Sequence, residues 1–299
     1  MGHDTSWFSL LPFFSGAQHW VQEKLGLSYL AHEPVTLQYV ASAILIMLMA
    51  FFMVMWARRK WKNTQAALVP DAKFTAANFF EILVRALLDL MHDVMGAKAK
   101  QFLPFVGSLA VFILFSNLLG LIPNFLPPTT NLNVTLACGI LVFLWYHAYG
   151  VRENWRHLVH EAEHGHGHAH GHDGHGAHHG HSHGASAGQK FLVFPVLAVF
   201  KYLSHFANPV GAWWGWILAP LMLPIELISH FARPLSLALR LLGNMTGDHV
   251  VLGVFLGLVP LLVPLPFIVL GAMVAVIQTM VFCLLTTVYI AMAVAHEEH

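Results

Sequence analysis

The chain is poor in charge. Of its 299 residues only 10% are Asp, Glu, Lys or Arg, with fifteen of each sign, while 57% are hydrophobic. Soluble domains carry about 25% charged residues, so a soluble fold would have no place for this much apolar surface. With a mean hydropathy of +0.63, the sequence reads as a polytopic membrane protein. Balanced charge leaves no basic patch for nucleic acid. Cysteine is almost absent: Cys138 and Cys283 both lie in apolar runs, which excludes a disulfide framework and a thiolate metal cluster and leaves small packing residues. There is no phosphate loop, no nucleophile–base pair and no convincing metal-ligand pair within the apolar runs. The chain alone is therefore expected to catalyse nothing and to need no cofactor. Residues 1–16 lack a basic n-region and do not read as a cleaved signal peptide.

What is present falls into four regions. Residues 1–36 mix aromatics with few charges and suit an interfacial segment. Residues 37–150 hold a first crossing at 37–57, followed at once by Arg58, Arg59, Lys60 and Lys62, which marks that end as cytoplasmic. Residues 73–98 then set Phe80, Leu83, Leu87, Leu88 and Met91 near one face and Glu81, Arg85, Asp89 and Asp93 on another. That pattern predicts an amphipathic helix along the cytoplasmic surface. A hairpin of crossings at 102–122 and 131–149 follows, with Asn117 embedded in the first and a Pro-rich link at 123–130 that lacks Lys and Arg.

Residues 151–190 form a cytoplasmic loop whose stretch 164–183 contains ten histidines among glycine and alanine. This composition cannot build a core, and disorder is expected. His164, His166, His168, His170 and His172 are candidates for nonspecific metal binding, since imidazole suits Zn, Ni or Cu.

Residues 191–299 carry the candidate site. Residues 191–212, broken by Pro195, Lys201 and Pro209, read as an interfacial segment. The apolar run from Trp213 to Val259 is too long for one perpendicular crossing: 47 helical residues span roughly 70 Å against a core of about 30 Å. Steep tilt is expected rather than a fold back. The link at 260–266 reads as outside, and a last long helix covers 266–294 with Gln278 in its middle. The tail ends inside. The termini are thus expected outside (N) and cytoplasmic (C).

Within 213–259 only Glu226, Arg233, Arg240 and Asp248 are formally charged. A guanidinium keeps its charge at ordinary pH, and placing one at membrane depth costs at least ~2.5–3.5 kcal/mol. Such a residue usually has a function and a partner. Helix register offers Glu226, fourteen positions upstream, as an internal partner. Arg233, seven positions upstream, is also nearly in register and is equally suited to snorkelling near Pro234. Asn244, four positions on, completes a polar stripe. Asp248 and His249 follow, and with Gln278 the inventory suits proton handling at intramembrane carboxylates. Asn244 and Gln278 serve equally as interhelical glue. His230, at i+4 from Glu226, is read as its hydrogen-bond partner in preference to a metal pair.

The segments PIELISHFARPLSLALRLLGNM (224–245) and PFVGSLAVFILFSNLLGLIP (104–123), with the last helix VIQTMVFCLLTTVYIAMA, strongly resemble the a subunits of the membrane sector of rotary ATP synthases. The likeness covers residues 37–299 apart from the His-rich loop, which looks like an insertion. It implies an all-α polytopic protein of about five membrane-embedded helices plus a surface amphipathic helix, the last two helices long and steeply tilted. It implies a stator subunit in a bacterial plasma (inner) membrane, with two proton half-channels. Its partners would be a ring of c subunits, b-type peripheral stalk subunits, the rest of the complex and lipid. By the same resemblance Arg240 would be the stator arginine, Asn244 and Gln278 would line its interface, His249 would belong to the outer half-channel and Glu226 to the inner path. The position seven before Gln278 is polar in some members; here it is Gly271, which removes a His249 partner and leaves Asp248 as a substitute. The rival reading is a metal-ion transporter with a His-rich cytoplasmic loop, which needs intramembrane ligand pairs that only Glu226 and His230 supply.

Overall fold

The computed structural model describes residues 8, 12–25, 37–61, 75–122, 125–164, 215–258 and 264–295. Seven α-helices occur among them, and no strand: α1 (Pro12–Leu25), α2 (Leu37–Trp61), α3 (Ala76–Met95), α4 (Ala99–Leu119), α5 (Leu132–His164), α6 (Gly215–Leu258) and α7 (Pro264–Ala295). Five stretches are long and apolar enough to cross a membrane: Leu37–Ala57, Ala77–Leu119, Leu132–Glu153, Pro224–Leu258 and Pro264–Val294. The protein is all-α and polytopic. The tract 165–183, the 191–212 segment, the 259–263 link and the 296–299 tail lie outside the described residues.

Local chemistry sets the helix ends. Thr75 caps α3 by accepting from the Asn78 N–H at 3.4 Å, the side-chain bond that an N-terminal orphan donor needs. Gly96 ends it at φ 59°, the left-handed region open to glycine. Asn131 caps α5, its Oδ1 accepting from the Asn133 N–H at 2.9 Å. Pro264 opens α7 at the first helical position, where its missing N–H costs nothing.

The chain divides into two compact units, one formed by residues 1–142 and 234–289 and the other by 143–233 and 290–299. In the first, α3 buries Ala77, Phe80, Leu83, Leu87 and Met91, at steps of three and four, and exposes Glu81, Arg85, Asp89 and Asp93. The amphipathic pattern therefore forms as expected. Phe80 and Ala77 join Ile46 and Ala57 of α2 and Phe115 and Leu119 of α4 in one apolar cluster. Glu81 and Arg85 pair at 3.0 Å on the exposed face, a contact worth little in stability.

On α7 the buried Thr279, Thr286 and Thr287 hydroxyls donate to the carbonyls of Ala275, Phe282 and Cys283 at 2.8–2.9 Å. Those bonds satisfy hydroxyls that burial in an apolar helix would otherwise penalise. Cys138 and Cys283 are buried free thiols, as their surroundings predict.

In the second unit, Phe143 packs edge-on against Tyr146 and stacks on Phe231. Arg152 lies over the Tyr149 ring at 5.7 Å.

Helix α6 is continuous for 44 residues, about 66 Å of helix. Pro220, Pro224 and Pro234 lie inside it without a fold back, so the long run is one helix. Its described residues begin at Gly215, and Trp213 lies outside the described residues.

Candidate functional site

Arg240 lies on α6 in the first unit and is exposed on the surface of this chain. Among the described residues of its unit its side chain makes no ion pair and no hydrogen bond. Glu226, the residue that helix register offered, lies in the second unit, where its Oε1 accepts from Nε2 of His230 at 3.2 Å. The i, i+4 spacing yields the hydrogen bond. Among the described residues no group of three His, Cys, Asp or Glu is placed to hold a metal ion.

The face that carries Arg240 has a composition suited to close approach. Arg240, Gly243, Asn244 and Gly247 fall at i, i+3, i+4 and i+7, all exposed, and so line one side of the helix. A Cβ added to Gly243 or Gly247 would meet nothing within 4 Å. Leu235, Leu239, Val250 and Val251 flank this stripe, also exposed. One cation therefore stands on an otherwise apolar surface beside two notches without side chains. Asn244 is tied back to α7: its Nδ2 donates to Oε1 of Gln278 at 2.6 Å. Gln278 is buried, and its own Nε2 has no partner among the described residues.

Beyond Asn244, one to two turns along α6, a second polar group forms in the same unit. Asp248 and His249 line a cavity of about 40 Å³ with Asn117 and Gly120 of the α4 end, Met245 and Leu252 of α6 and Gly271 of α7. One water needs roughly 10–15 Å³, so the cavity has room for more than one. Two of its polar atoms lack a protein partner among the described residues. Nδ1 of His249 and Nδ2 of Asn117 are buried without a partner among the described residues. Oδ1 of Asn117 accepts from the Thr129 hydroxyl at 3.2 Å, which fixes the amide with Nδ2 left over.

Gly271 faces the Leu121 side chain, and a Cβ there would lie 2.6 Å from its Cδ2. Position 271 is thus packed against a leucine from another helix end, while Asp248, Asn117 and His249 line the same cavity. Sequence reasoning reached Asn117, Asp248 and His249 but not their meeting. The glycines at 243 and 247 were readable from spacing alone.

Arg233 is half-buried in the second unit and within electrostatic reach of His147 and His230. His164 ends α5, and His166, His168, His170 and His172 lie outside the described residues.

Comparison with known proteins adds the lineage. A family described as ATP synthase A chain matches residues 39–212 and 192–291. ATP synthase subunit a of Sorangium cellulosum is 33% identical over 279 residues, 92% of this chain and 90% of that protein. ATP synthase subunit a of Bdellovibrio bacteriovorus is 39% identical over 241 residues, covering 81% and 84%. ATP synthase subunit a 1 of Syntrophotalea carbinolica is 40% identical over 263 residues, 88% of each chain. With its membrane-length helices and these matches along nearly all of its length, the chain belongs to the ATP synthase subunit a family of bacteria.

Proposed function

We propose that this chain is the stator element that carries protons to and from carboxylates on a rotating ring of c subunits. The carrying observation is Arg240: permanently cationic, exposed, and without an ion pair in its unit among the described residues. Left against lipid it costs at least ~2.5–3.5 kcal/mol. A carboxylate from another chain removes that cost, and Gly243 and Gly247 leave room for the backbone of the helix that bears it. A carboxyl group arriving beside Arg240 favours its ionised form and releases its proton. Moving on, it regains a proton from the other side. The arginine blocks a direct leak because a proton crossing at that point meets a fixed like charge.

The cavity of Asn117, Asp248 and His249 serves as the outer half-channel, since it admits water and offers unpaired polar atoms. Glu226 serves the inner path. In this arrangement the N-terminus faces outward, α3 lies along the cytoplasmic surface, and the His-rich loop and C-terminus are cytoplasmic. The b-type stalk subunits hold the chain against the ring's torque. The chain does no chemistry on ATP itself.

ATP-driven proton pumping by the assembled complex in membrane vesicles tests this. Arg240→Ala abolishes pumping while assembly persists; pumping at the wild-type rate in that variant overturns the proposal.

A further inference from the structure

The second unit holds a row of bonded side chains beyond Glu226. Tyr146 on α5 is 1% exposed, and its phenol oxygen lies 3.2 Å from Nδ1 of His230 on α6. Nε2 of the same imidazole lies 3.2 Å from Oε1 of Glu226. His147 stands edge-on to His230, ring centres 5.4 Å apart, and its own Nδ1 donates to the Phe143 carbonyl at 2.9 Å.

These partners assign the tautomer. In the form of the pair where Glu226 is a carboxylate, which only accepts, Nε2 of His230 carries hydrogen. Nδ1 is then the acceptor, and the Tyr146 hydroxyl donates to it. The imidazole is pinned at both nitrogens. Burial divides the pair: the His230 side chain is 11% exposed and that of Glu226 46%. The carboxylate reaches outward while the ring stays inside. A ring that only filled space would need neither bond, and the metal alternative lacks a third ligand among the described residues.

We propose that Glu226 and His230 form a proton-sharing pair on the inner path, in which the imidazole itself carries the proton with the carboxylate and Tyr146, which holds the ring, is the positioning residue. This rests on the reading that Glu226 lies on that path. The pair takes up one proton and returns one, and no other bond is made or broken. The proton either neutralises the carboxylate or converts imidazole to imidazolium, whose Nδ1–H then donates to the phenol oxygen. In both forms the pair moves between charge −1 and 0. In this proposal the proton enters and leaves on the exposed side of Glu226. The other charged or titratable groups near the ring are His147 on α5 and Arg233 on α6.

ATP-driven pumping in vesicles that hold the complete complex supplies the test. His230→Gln keeps an amide donor toward Glu226 but cannot carry a proton. It is expected to assemble normally and to pump at least about tenfold more slowly, the lower range of a lost acid–base group. Tyr146→Phe, which removes only the hydroxyl, is expected to show a smaller loss. Added imidazole is expected to restore part of the rate in His230→Ala. Wild-type pumping by His230→Gln overturns the proposal, because it reduces His230 to a hydrogen-bonding spacer. Should His230→Gln fail to assemble, the imidazole arm decides, and no rescue overturns it. Arg240→Ala runs alongside: if it is dead while His230→Gln is normal, only the pair is wrong; if it pumps, the parent reading is wrong.

Discussion

Asn244 donates to Gln278 across α6 and α7 at 2.6 Å, one turn from an arginine that finds no ion pair in its own unit. The bond holds the face that presents Arg240. Membrane hydrogen bonds of this kind average ~0.6 kcal/mol, so its value lies in orientation more than in stability. Asn244→Ala and Gln278→Ala are each predicted to slow pumping, and the double variant to be no slower than the worse single one. Such non-additivity marks one shared contact. A double-mutant cycle on initial pumping rates checks this; independent, multiplying losses contradict it.

Gly271 is a packing requirement that resembles a gap. Its Cβ would lie 2.6 Å from Cδ2 of Leu121, so Gly271→Ala overpacks that contact, at about 1–3 kcal/mol. Leu121→Ala in the same chain is predicted to relieve it, since the clash is with the end of a side chain. The thermal midpoints of the detergent-solubilised single and double variants give the comparison. A double variant less stable than both singles rules the compensation out.

Gly139 differs, because the atom it faces is backbone. A Cβ there would meet the Pro234 carbonyl oxygen at 2.6 Å. No rotamer change removes that contact, so α5 and α6 must separate. Gly139→Ala is predicted to lower stability by about 1–3 kcal/mol with no single rescuing substitution among neighbouring side chains. The same thermal assay reads it, and an unchanged midpoint refutes it.

Legibility from sequence follows the range of each cause. Helix lengths and the buried face of α3 are local, and the apolar pattern carries both. The end of α5 is not: the apolar run stops near residue 149, yet the helix continues to His164, since nothing between 151 and 164 is proline or glycine. Apolarity marks where a helix leaves lipid, which need not be where it ends. Arg240 stands out by its charge in an apolar run. An unpaired cation in lipid is costly, but the sequence of one chain does not say which group, on this chain or on another, removes that cost. Leu121 opposite Gly271, or Tyr146 opposite His230, depends on helices distant in sequence, and spacing along one helix carries no trace of it.

Gly243 and Gly247 separate folding from docking. Each has open space where a Cβ would stand, so larger residues there clash with nothing within this chain. If they only eased the packing of α6, substitution would lower the stability of the chain itself. If they admit a partner helix beside Arg240, substitution leaves this chain intact and blocks its neighbour. Gly243→Leu and Gly247→Leu are therefore predicted to leave the thermal midpoint of the isolated chain at or above that of wild type, since neither side chain meets a clash within the chain. Recovery of c subunits on affinity-tagged chain is predicted to fall about tenfold, the equivalent of roughly 1.4 kcal/mol. Helix propensity works in favour of the substituted chain, since leucine is the better helix former by close to 1 kcal/mol. Loss of the ring therefore cannot be blamed on a weakened α6. Normal ring recovery with both leucines in place denies the notches any role in docking.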